Sequence, residues 1–170
     1  MSQNLKTMSL NFELYITKGN EVINRLAYEL GTPKEQAARI LKAVLHGLRD
    51  RLCLDENFDF LAQLPMVLKA IYVDGWKPRR SGKRSQLLNE FLDEIRTSDV
   101  PAAAYDFGND QLAKTRVQQV FRVLSQYIST GELEDVLAGL PLEIKEFVQA
   151  SMDEKQVHHY PMTDQFQVYS

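Results

Sequence analysis

The sequence predicts an all-α protein: two tandem, related four-helix units packed into one compact helical domain. Apolar residues recur at helical spacing along most of the chain, as in Ala37, Ile40, Leu41, Val44, Leu45, Leu48 and Leu52. The segment Leu61-Ala62-Gln63-Leu64-Pro65 returns as Leu137-Ala138-Gly139-Leu140-Pro141, at a shift of 76. Val44-Leu45 matches Val123-Leu124 at a shift of 79, so the second copy is three residues shorter in the intervening turn. Proline inside a helix costs about 3 kcal/mol, but at the first helical position its missing N–H costs little. Each Leu-Pro therefore reads as the end of one helix and the start of the next, with proline at N1.

The elements follow in order. Residues 1–19 are weakly patterned and are expected to form an N-terminal arm on the core. Phe12, Leu14 and Ile16 alternate there, as a short extended piece or part of a helix would. The first unit spans 20–76. Asn20 is its expected N-cap, followed by Val22, Ile23, Leu26, Ala27 and Leu30, with Gly31 as an αL stop. Thr32, Pro33 and Glu35 then fit N-cap, N1 and N3 of the long helix. Asp55 is the expected cap of a short helix carrying Phe58, Leu61 and Leu64. Pro65 opens another with Val67, Leu68, Ile71 and Tyr72. Gly75 stops it, and Trp76 takes the position from which a Schellman motif folds an apolar residue back.

Residues 77–84, Lys77 to Arg84, form a linker with five basic residues and no apolar one. The second unit spans 85–152. Ser85 caps a helix with Leu87, Leu88, Phe91, Leu92 and Ile95. A longer loop, Thr97 to Asp110, contains a helical turn at Ala102 to Tyr105. The second long helix carries Val117, Val120, Phe121, Leu124, Tyr127 and Ile128. Leu133, Val136, Leu137 and Leu140 mark a short helix, and Pro141 opens the last one. Residues 153–170 lack periodicity and read as a tail.

Composition bounds the function classes. At 170 residues, 44% hydrophobic and 25% charged, the chain has the apolar content for a core without metals or disulfides. Cys53 is its single cysteine, which fits a reducing compartment. No apolar run approaches the roughly 20 residues of a membrane span, and the first residues do not resemble a signal peptide. The expected location is the cytoplasm. Residues 1–85 carry an excess of five positive charges and residues 86–170 an excess of eight negative ones, within a net charge of −3.

No motif points to catalysis, a cofactor or a metal. His46 lies among Lys42 and Arg49 with no second ligand at helical spacing, and reads as a surface or half-buried histidine. His158-His159 on the tail lacks the geometry of a closed site. Cys53, near Arg49 and Arg51, has no histidine in a nucleophile arrangement. The acidic groups Asp55, Glu56, Asp59 and Glu132, Glu134, Asp135 occupy equivalent repeat positions, where they complement helix dipoles.

The run from Ala37 to Trp76, with AVLHGLRDRL, LAQLP and IYVDGW, resembles the uncharacterised bacterial family known as domain of unknown function 2267. VFRVLSQYIS, TGELEDVLAGLP and IKEF resemble that family's partner repeat. The resemblance covers about Asn20 to Val148 and implies an all-α fold of two related subdomains. It carries no reaction, ligand or catalytic residue onto this chain. The basic linker departs from the pattern, and the residues after Met152 lie outside it.

The basic set is the best functional hint: Lys42, His46, Arg49, Lys77, Arg79, Arg80, Lys83 and Arg84 form an expected interaction surface. The leading expectation is a non-catalytic protein-interaction or regulatory module that binds a protein partner or self-associates, basic half to acidic half. One alternative is weak nucleic-acid binding through the linker, against which stand the acidic second half and the lack of interleaved aromatics. Another is an enzyme or small-ligand protein with a site between the repeats.

Overall fold

The computed structural model describes residues 11–78, 87–98 and 102–153. Among these residues there are nine helices and no strand. They are α1 (Phe12–Leu30), α2 (Lys34–Arg49), α3 (Leu54–Gln63), α4 (Met66–Val73), α5 (Leu88–Arg96), α6 (Ala103–Phe107), α7 (Asp110–Leu124), α8 (Thr130–Ala138) and α9 (Leu142–Asp153). The expected cap Ser85, the linker residues Arg79, Arg80, Lys83 and Arg84, and the tail with His158 and His159 lie outside the described residues.

Several helix starts differ from expectation; α3 is capped at Cys53 rather than Asp55, and α5 at Leu87 rather than Ser85. The first helix does not begin at Asn20. Asn11 caps it, its side chain accepting from Leu14 N at 3.1 Å, and Glu13 adds a carboxylate to the first turn. The segment expected as an arm is thus helical from Phe12, and Asn20 lies inside α1. The prolines sit one position earlier than N1. Pro33 and Pro65 are N-caps, with φ −58 and −53 and ψ 155 and 147. That extended backbone is what an N-cap requires, and each proline carbonyl accepts the first helical bond, Ala37 N to Pro33 O at 3.0 Å and Lys69 N to Pro65 O at 3.0 Å. Thr32 consequently does not cap α2. The loop after α5 holds α6, so five helices follow the linker rather than four.

Helix ends follow the glycines. At Gly31, φ 63, Thr32 N reaches Ala27 O at 3.1 Å and Gly31 N reaches Tyr28 O at 3.2 Å, the paired bonds of a Schellman motif. Gly75 adopts the same φ of 63, but α4 closes differently, as described below.

One core joins the two stretches of chain. α1 packs on α2, α4 and α7; α2 packs on α4, α5, α6 and α7; α7 packs on α5, α6 and α9. α3 lies against α8 and α4, α8 against α9, and α5 against α6 and α9. Phe60, Tyr72, Phe91, Phe107 and Phe121 are the largest side chains wholly withdrawn from solvent. α1 and α4 approach closely at Gly19, where a Cβ would lie 2.8 Å from Val67 Cβ. Arg39 of α2 holds α6 through a two-point pair with the buried Asp106, at 2.8 and 2.9 Å.

Candidate functional site

Two features stand out from the helical background: a buried polar cluster where α2, α3 and α4 meet, and an acidic groove between α3 and α8.

The cluster begins with three basic residues on one face of α2. Their spacing of four and three residues aims them together at the C-terminus of α4. Lys42 Nζ reaches Asp74 Oδ2 at 2.7 Å. His46 Nε2 lies 2.8 Å from Ile71 O; because a carbonyl only accepts, this nitrogen carries the proton. Arg49 Nη1 donates to Tyr72 O at 2.8 Å and to Asp74 O at 3.1 Å. The last carbonyls of a helix lack intrahelical partners, and they carry the negative end of its dipole. Here side chains of α2 supply the donors for carbonyls that a Schellman turn would otherwise serve.

Asn57 of α3 does the same for α2. Its Nδ2 donates to the carbonyls of Arg49, Leu52 and Cys53 at 3.0, 2.9 and 2.9 Å. Its Oδ1 accepts from the Tyr72 hydroxyl. Burial pushes the Tyr72 phenol well above its ordinary range, and the nearby Arg49 charge only partly opposes this. The phenol therefore stays protonated and donates. The Lys42 ammonium, by its hydrogen bond and then its charge, holds the Asp74 carboxyl below the usual carboxylate range. Most bonds in this cluster tie one helix end to another element, and its buried members Arg49, Asn57 and Tyr72 present no nucleophile or base to solvent.

The expected interaction surface divides accordingly. His46 and Arg49 are only 4% and 7% exposed, which corrects the surface or half-buried reading of His46: both turn inward to α4. Lys42 is engaged with Asp74, while Lys77 is exposed three residues beyond it. Arg79, Arg80, Lys83 and Arg84 lie outside the described residues. Asn57 and Tyr72 were not singled out as polar positions by the sequence reading, yet a signal existed. At the repeat offsets, Arg49, Asn57 and Tyr72 match Ile128, Leu133 and Val148, all buried. Polar residues that stand at these offsets from buried apolar ones mark a local network.

The groove between α3 and α8 encloses about 220 Å³ and is lined by Glu56, Asp59, Glu132 and Asp135 with Ala62 and Gln63. Glu56 also caps α3, accepting from Cys53 N at 2.8 Å, and Glu132 accepts from the Ser129 hydroxyl at 2.7 Å. Both acids thus serve helix starts, as expected, while Asp59 and Asp135 are exposed. Among the described residues no group of three or more His, Cys, Asp or Glu is arranged to hold a metal ion. No helix among them is long and apolar enough to cross a membrane.

The family model described as "Uncharacterized conserved protein (DUF2267)" matches residues 19–147. No curated protein matches the chain.

Proposed function

The chain belongs to the DUF2267 family, whose function is not established, and within it we propose a non-catalytic protein-interaction module of two related four-helix units that self-associates through opposite charges. The observation that carries this reading is the groove between α3 and α8, with four carboxylates along it, in a chain that also holds a run of five basic residues at 77–84. The groove of one copy would take the basic run of another. Exposed ion pairs contribute about 0.2–1 kcal/mol each and are screened over roughly 8 Å at physiological salt. The association is therefore weak and salt-sensitive.

The two-unit description is supported by the packing. Exchanging α1 with α5, α2 with α7, α3 with α8 and α4 with α9 turns the set of helix contacts into itself, with only α6 left over. The groove fits the same relation: Glu56 and Asp59 match Glu132 and Asp135 at the offset of 76. The commitment of Arg49, Asn57 and Tyr72 to buried helix-end carbonyls and to one another supports the non-catalytic part of the reading.

Light scattering across a concentration series at low and high salt tests the proposal. The expected result is association at low salt that disappears at high salt and in an Asp59→Asn/Asp135→Asn variant. A monomer at every concentration and salt would refute it.

A further inference from the structure

We draw no further inference here: the strongest candidate, the exposed apolar patch of Phe12 and Ile16 on the first turns of α1, is an unpartnered helix face, and nothing in the structure shows what covers it.

Discussion

Asn57→Leu tests whether the buried cluster is a clamp on helix ends. Leucine is the residue found 76 positions on, Leu133, which is buried in the same core. The substitution is therefore compatible with the fold in shape and wrong only in chemistry. It removes the donor shared by the carbonyls of Arg49, Leu52 and Cys53, and the acceptor of the Tyr72 hydroxyl. Cys53 O keeps the backbone bond from Asn57 N at 3.0 Å. Three groups then lose a partner: two carbonyls and one hydroxyl. A buried polar group left unsatisfied costs about 1–3 kcal/mol, and the leucine returns roughly 1–2 kcal/mol of apolar burial. The net loss is about 3 kcal/mol. Urea unfolding followed by circular dichroism measures it; with a slope near 2 kcal/mol per molar, the midpoint falls by about 1.5 M with the slope unchanged. The double variant Asn57→Leu/Tyr72→Phe should lose less than the sum of the two single variants, by about 1 kcal/mol, because each single change strands the partner that the double removes. A single-variant loss below about 1 kcal/mol, with additive behaviour, would refute the clamp.

Four further outcomes are expected. Gly19→Ala should destabilise by about 1–3 kcal/mol despite alanine's better helix propensity, since its Cβ would meet the branched Val67 at 2.8 Å; Gly19→Ala/Val67→Ala should recover part of the loss in the same urea assay. Asp106→Ala should cost about 2 kcal/mol and speed amide exchange in α6, because it deletes both charge-assisted bonds from Arg39. Tyr72 makes stability fall at alkaline pH: its folded value is raised above the ordinary 10.0, so its contribution is full below that pH and is lost as pH rises toward the folded value. Tyr72→Phe should show a smaller drop in urea midpoint than wild type between neutral and strongly alkaline buffer. Finally, a carboxyl NMR titration should place Asp74 and Asp110 below the usual range, with Lys42→Gln raising Asp74 alone, since the Asp110 carboxyl is held down by Arg96.

Much of the local architecture was legible because it depends on short-range rules. The apolar faces of α2 and α7, the stops at Gly31 and Gly75, and the helix boundaries at Leu64-Pro65 and Leu140-Pro141 follow from period, backbone freedom and the missing proline N–H. Boundaries were less secure where two caps competed. Asn11 and Asn20 both precede apolar residues, and Asn11 starts α1 because its side chain reaches Leu14 N while Asn20 sits in mid-helix. The basic face of α2 was visible as a face; the match of Arg49 to the apolar Ile128 hinted that Arg49 turns inward, while no such signal marked His46.

The sequence alone determined the all-α class, the internal resemblance at offsets of 79 and 76, and the residues available to the core. Each of these depends on neighbours within a turn or two, or on comparing the chain with itself. Tertiary structure decided where the polar groups went. Cations near one another in sequence read as a surface, because water is the default solvent for a charge. Only the arrival of α4, with carbonyls at Ile71, Tyr72 and Asp74 lacking helical donors, turned His46 and Arg49 into helix caps. Likewise, only the packing of α3 on α8 drew Glu56, Asp59, Glu132 and Asp135, which serve separate helices, into one groove.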